Sequence, residues 1–133
     1  YWRPPLKDTQ RNQKFIGFAK QLNLYLNHFP RFEKYALSNR IRATAYELYD
    51  LITEAQKRYY KKTTLTNLDI VHEKLRMQLH LANDLGYFDF KVGRRESVSD
   101  GKHRYITISA MVDELGKMIG AWIRTIKEEN RWR

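Results

Sequence analysis

Four stretches of this chain repeat apolar side chains at intervals of three and four, with helix-stopping residues between them. That spacing places the apolar groups on one face of an α-helix. The first stripe is Phe15, Phe18, Ala19, Leu22, Tyr25, Leu26 and Phe29, which predicts a helix over residues 8–28. Pro30 closes it, because the residue before a proline avoids the helical region. Pro4 and Pro5 cannot lie inside a helix, so residues 1–7 read as a flexible N-terminal segment.

The second stripe, Phe32, Tyr35, Ala36, Ile41, Ala45, Leu48, Ile52, Ala55 and Tyr59, predicts a helix over residues 31–60, about 45 Å long. Thr66 then reads as an N-cap, with Asp69 favouring the same helix end. Leu68, Val71, Leu75, Leu79, Ala82 and Leu85 form a third stripe over 67–85, with Gly86 as the stop. The fourth helix starts near Thr107 or Ser109 and runs to Glu129, on Val112, Leu115, Ile119, Trp122, Ile123 and Ile126. Between the third and fourth helices, Phe88, Phe90 and Val92 alternate before a Gly- and Asp-Gly-containing connection. Tyr105, Ile106 and Ile108 follow it. This predicts a β-hairpin inserted at about 88–106, with a long basic loop as the alternative. The expected architecture is all-α: a four-helix bundle over residues 8–130.

With 133 residues the chain is the size of one domain, and it contains no cysteine. Disulfides, thiolate zinc sites and cysteine nucleophiles are thereby excluded, and a reducing, cytoplasmic compartment fits. No apolar run is long enough to span a membrane, and no membrane partner is expected. The sequence opens on Tyr1-Trp2 without methionine or an apolar leader, which reads as a trimmed start.

The net charge is +10, which on a small domain points to a polyanionic partner, most often nucleic acid. Residues 1–62 carry a net +8, residues 63–90 a net −2, residues 91–104 a net +3 and the remainder a net +1. Three groups hold the excess. One is Arg31, Lys34, Arg40 and Arg42. The second is Lys57, Arg58, Lys61 and Lys62, interleaved with Tyr59 and Tyr60. The third is Lys91, Arg94, Arg95, Lys102 and Arg104, with His103. Such cations neutralise phosphates, and Tyr60 or Tyr59 can stack on unpaired bases. An equal reading is a helix end where Lys and Arg answer the negative pole, with Tyr59 packed inward.

Catalytic signals are weak. There is no glycine-rich phosphate loop, zinc signature or nucleophile elbow. His72 and His80 are two helical turns apart, too far to share a metal, and read as half-exposed helical histidines. Glu47, Asp50 and Glu54 share a helix face and define the competing hypothesis, a Mg²⁺-dependent nuclease, although Glu54 with Arg58 is also an ordinary i,i+4 pair. No cofactor or metal is expected. Gly116 and Gly120 lie four apart on the last helix and admit close approach of another helix, within the bundle or from a second subunit. Trp122 would be the aromatic anchor of such a subunit contact.

The run from Phe29 through Leu37, continuing into Arg40-Ile41-Arg42-Ala43-Thr44-Ala45-Tyr46-Glu47-Leu48, resembles a known pattern. So do Leu75-Arg76, the stretch Leu79 to Gly86, and Leu115-Gly116-Lys117-Met118-Ile119-Gly120-Ala121-Trp122-Ile123. Together they resemble the accessory variability determinant proteins of diversity-generating retroelements. These sit within a four-helix bundle family that also includes proteins encoded in ribosomal RNA intervening sequences. The resemblance implies a basic, barrel-like homopentamer that binds the element's reverse transcriptase and nucleic acid. It implies support for mutagenic copying of template RNA into cDNA, with no chemistry of the protein's own. Gly116, Gly120 and Trp122 match the family's closing signature, while Ala121 stands where a second glycine is common. The insertion at 88–106 departs from relatives that have a short loop there. A relative with nucleic-acid binding but no reverse transcriptase partner is the alternative within the family.

Overall fold

The computed structural model describes residues 5–92 and 98–133. Four helices carry the chain: α1 (Leu6–Leu26), α2 (Leu37–Lys57), α3 (Lys62–Asp84) and α4 (Val98–Glu128), with a 3-10 turn at Arg31–Glu33. Among the described residues there is no strand. Each helix packs on two others, α1 on α2 and α4, and α3 on α2 and α4, with no diagonal packing. Short connections make sequential neighbours antiparallel, so the bundle runs up, down, up and down.

The stripes read from the sequence supply the core. Phe15, Phe18, Leu22 and Leu26 come from α1, and Ile41, Ala45, Leu48, Ile52 and Ala55 from α2. Leu68, Val71, Leu75, Leu79 and Ala82 come from α3, and Val112, Leu115, Ile119, Trp122 and Ile126 from α4. Phe29 and Phe88 plug the end where α1 finishes, their rings 5.2 Å apart and edge-on.

The structure corrects several boundaries. Helix α1 starts at Leu6, so Leu6 and Lys7 belong to the bundle and Pro5 takes the N-cap position. The helix expected over 31–60 is interrupted: Ala36, at φ −117° and ψ −103°, leaves the helical region, and α2 starts at Leu37. Phe32 and Tyr35 therefore stand exposed rather than in the core. At its other end α2 stops at Lys57, because Arg58 is extended. Helix α3 begins at Lys62, and its N-cap is Lys61, not Thr66. Thr64 and Leu65 are buried in that first turn, so the core reaches further back than the stripe from Leu68 suggested.

Both helix stops that depend on left-handed backbone form the same closure. At Gly86 (φ +79°) the Tyr87 N–H donates to Ala82 O and the Gly86 N–H to Asn83 O. At Asn130 (φ 56°) Arg131 N–H donates to Ile126 O and Asn130 N–H to Lys127 O. These paired bonds satisfy the last orphan carbonyls of α3 and α4.

The hairpin does not form: Tyr105, Ile106 and Ile108, expected on its second strand, lie on α4. Among the described side chains of α4 the buried positions are Gly101, Arg104, Ile108, Val112, Leu115, Ile119, Trp122 and Ile126, an unbroken helical spacing. Its first two members are a glycine and an arginine, so the apolar pattern hid it. Gly101 leaves room for the preceding segment, since a Cβ there would lie 1.9 Å from Asp89 Oδ1 and 3.0 Å from Phe88 O. Arg104 then pins that segment, donating from Nη1 to Phe88 O (2.8 Å) and Phe90 O (2.6 Å) with its guanidinium 3.9 Å from the Phe90 ring centre.

Candidate nucleic-acid interface

The three basic groups of the sequence become two, at opposite ends of the bundle. Residues Arg31, Lys34, Arg40 and Arg42 lie where α1 ends and α2 begins. Lys91 and Lys102 belong to the same end, because Phe90 stacks on His28 at 4.9 Å. The other end holds Lys57, Arg58 and Lys62. From Arg42 to Lys57 the helix rises about 22 Å. Arg94 and Arg95 lie outside the described residues.

At the first end Arg31 and Lys34 are exposed, with the Lys34 ammonium 5.4 Å from the Tyr35 ring centre. Arg42 is half-buried and held in place. Its Nε donates to Asn23 Oδ1 at 3.0 Å and its Nη2 to Asn27 Oδ1 at 2.7 Å. Arg31, Lys34 and Arg42 share a cavity of about 370 Å³, whose wall also includes Ser38. Arg40 faces elsewhere, onto a cavity of about 270 Å³ lined by Glu33, Ala36, Leu37, Leu81 and Leu85.

At the second end Tyr59 and Tyr60 are both exposed, 64% and 46%, with rings 4.9 Å apart and edge-on. The inward-packed alternative for Tyr59 is thus corrected. The tail after α4 brings two arginines that sequence reasoning had not singled out. Arg131 lies 5.1 Å from the Tyr59 ring and Arg133 5.2 Å from the Tyr60 ring. Arg131 is held by its own bonds, accepting at its carbonyl from Lys61 N–H (3.0 Å) and pairing with Glu129 at 2.7 Å. The only sequence signal was an Arg-Trp-Arg ending just past the last stripe. Its partners lie some seventy residues away.

Two expected phosphate contacts are removed by burial. Lys61 is 3% exposed, and its ammonium donates to the Ala55 and Arg58 carbonyls. Burial pushes its pKa below the ordinary lysine value, Arg131 pushes the same way, and Asp8 opposes. Arg104 is spent on the Phe88 and Phe90 carbonyls. Arg58 is exposed but pairs with Glu54 at 2.9 Å.

The carboxylates Glu47, Asp50 and Glu54 do not converge, Glu54 being the partner of Arg58. Among the described residues no group of three His, Asp or Glu side chains could hold a metal ion. His72, expected half-exposed, is buried, with Nε2 donating to Val112 O at 2.7 Å. His80 is exposed, 3.2 Å from Asp84.

The glycine pair divides. A Cβ on Gly116 would lie 2.9 Å from His72 Cε1 and 3.2 Å from Nε2, so this glycine seats a buried, hydrogen-bonded ring. Gly120 has nothing within 4 Å of its would-be Cβ. Trp122 is 2% exposed and covered by Arg11, 4.1 Å from its ring centre, so it offers no area to a partner. Gly116→Ala will destabilise the fold by about 1–2 kcal/mol, the overpacking outweighing alanine's helix preference of about 1 kcal/mol. Gly120→Ala will leave stability unchanged or raise it by up to about 1 kcal/mol. Urea denaturation of the two variants checks both signs, and an unchanged midpoint for Gly116→Ala would mean that His72 yields without cost.

What this geometry defines is a class: an up-and-down four-helix bundle with basic side chains gathered at both ends. No helix among the described residues is long and apolar enough to cross a membrane. A family model described as bAvd-like matches residues 10–126, reaching from α1 to the last core residue of α4. The chain belongs to the bAvd-like family, in agreement with its resemblance to accessory variability determinant proteins. No curated protein and no solved structure matches it.

Proposed function

We propose that this chain is a non-catalytic accessory protein of a diversity-generating retroelement. It binds the element's reverse transcriptase and RNA or DNA, and it supports mutagenic reverse transcription of template RNA. It acts as a homopentamer in the cytoplasm. The observation that carries this reading is the family match over residues 10–126, and the placement of cations supports it. Arg31, Lys34, Arg40, Arg42, Lys91 and Lys102 offer phosphate contacts at one end, and Arg58, Lys62, Arg131 and Arg133 at the other. Tyr59 and Tyr60 can stack on bases once their arginines move to phosphates.

The test has two arms. The purified chain is titrated with a structured RNA and a matched DNA duplex from about 50 to 200 mM salt. Affinity should fall by orders of magnitude, as for a protein making several phosphate contacts. In the second arm the reverse transcriptase encoded beside this chain should co-purify with it. Undetectable binding at low salt would end the direct nucleic-acid role and leave the charge to a protein partner. A neighbourhood without a reverse transcriptase would end the retroelement assignment.

A further inference from the structure

Ser38 is the second residue of α2, only 2% exposed, and its hydroxyl has no hydrogen-bond partner among the described residues. Four other hydroxyls on these helices do not share this condition. Thr44, Thr53, Thr107 and Thr125 each donate to the carbonyl four residues back. For Ser38 that position is Lys34, which lies in the turn before the helix. A buried donor without an acceptor is destabilising, and the described residues supply this hydroxyl with none.

Its surroundings specify that group. Ser38 lines the cavity of about 370 Å³ shared by Arg31, Lys34 and Arg42, which has three cations on its wall and no carboxylate. None of the three forms an ion pair among the described residues. Arg42 is oriented by two carboxamide oxygens, which are neutral acceptors and leave its charge uncompensated. Two of its five N–H groups are used, leaving three. The cavity also lies at the start of α2, where no side chain caps the first turn. The free N–H groups of that turn and the helix dipole favour an anion. A hydroxyl donor, a helix N-terminus and a fixed guanidinium match a tetrahedral oxyanion with several acceptor oxygens.

We propose that this cavity is a phosphate-binding pocket, taking one phosphate group from Ser38 Oγ–H, the first-turn N–H groups of α2 and Arg42, with Arg31 and Lys34 at its rim. The pocket is defined by its own atoms, and it rests on the nucleic-acid reading only for the source of the phosphate: a strand end or an internal backbone group.

The test is a titration of the full chain with sodium phosphate, followed by amide ¹H–¹⁵N spectra against sodium chloride at matched ionic strength. The amides of Leu37, Ser38 and Asn39 should shift and saturate. Ser38→Ala should weaken that binding roughly tenfold or more, the scale of one lost hydrogen bond to a charged group. Its melting temperature without phosphate should not fall, since alanine removes an unsatisfied group and favours the helix. Arg42→Gln should weaken binding at least as much. Shifts that spread over the lysines and arginines without saturating would overturn the pocket, as would Ser38→Ala binding phosphate like the native chain.

Two oligonucleotides, one 5′-phosphorylated and one 5′-hydroxyl, then identify the source. A Ser38→Ala loss confined to the first assigns a strand end, an equal loss in both assigns an internal phosphate, and loss in neither overturns a nucleic-acid ligand for the pocket. Steep, salt-dependent RNA binding without a saturable phosphate response would sink the pocket and leave the general reading standing. Saturable phosphate without any RNA binding would do the reverse.

Discussion

Replacing Trp122 with alanine will lower folding stability by about 3–5 kcal/mol, the range for deleting a buried aromatic side chain. The ring is 2% exposed and belongs to the continuous core. Cavities of about 280 and 240 Å³ flank it, so its removal opens space that neighbours will not fill by small shifts. The substitution also strips Arg11 of the ring beneath its guanidinium, which is 4.1 Å away. Burial already pulls Arg11 below the ordinary arginine value, and its bond of 2.8 Å to Asp8 is the principal counterweight. Loss of the cation–π contact contributes about 0.5–2 kcal/mol of the total. Trp122→Phe keeps a ring for Arg11 and should cost clearly less.

The measurement is urea denaturation followed by circular dichroism, with sedimentation run in parallel. The expected result is a lower midpoint with an unchanged association state. A native midpoint combined with a smaller assembly would return Trp122 to the role of subunit anchor.

The core was legible because its signal is redundant: Phe15, Phe18 and Leu22 or Leu115, Ile119 and Trp122 repeat one spacing several times over. Gly86 was legible because a single residue type carries the left-handed stop. The start of α4 was not, since the described part of its inward face opens with Gly101 and Arg104. Gly101 is buried because a backbone segment crosses it, and Arg104 because two carbonyls receive it. Neither cause is written within ten residues of its effect. Ser38 was passed over for a related reason: its condition follows from where the helix begins, and Phe32 and Tyr35 had placed that beginning six residues too early. The basic groups were visible as composition, but their division between two ends required knowing that α2 separates them.

Lys61 and Lys62 show how far neighbouring residues of one type can differ. Lys61→Glu will destabilise the fold by about 3–5 kcal/mol, while Lys62→Glu will leave stability unchanged or slightly higher. The Lys61 ammonium closes the end of α2, donating to the Ala55 and Arg58 carbonyls, while its N–H donates to Arg131 O and ties down the tail after α4. A carboxylate there would face two carbonyl oxygens, with both donated bonds lost and its charge buried. Lys62 is exposed in the first turn of α3, where a negative charge meets the positive helix end and contributes about 0.3–1 kcal/mol.

The pH dependence follows from burial, which disfavours the charged form of Lys61. Folding lowers the Lys61 pKa below 10.5, so over the window beneath that value the unfolded chain binds more protons. Stability linked to this group therefore rises with pH through that window, is fully present above 10.5, and is lost as the pH falls through the folded value. Lys61→Met should lack this rise. For RNA binding the order reverses: Lys62→Glu should lower affinity similarly for all sequences and reduce the salt slope by about one. Lys61→Met, which keeps the stem and removes a charge that faces no phosphate, should bind RNA like the native chain. Filter binding across 50–200 mM salt with urea denaturation of the same samples separates the two lysines. A native midpoint for Lys61→Glu, or an RNA defect in Lys61→Met at native stability, would place the Lys61 ammonium at the surface after all.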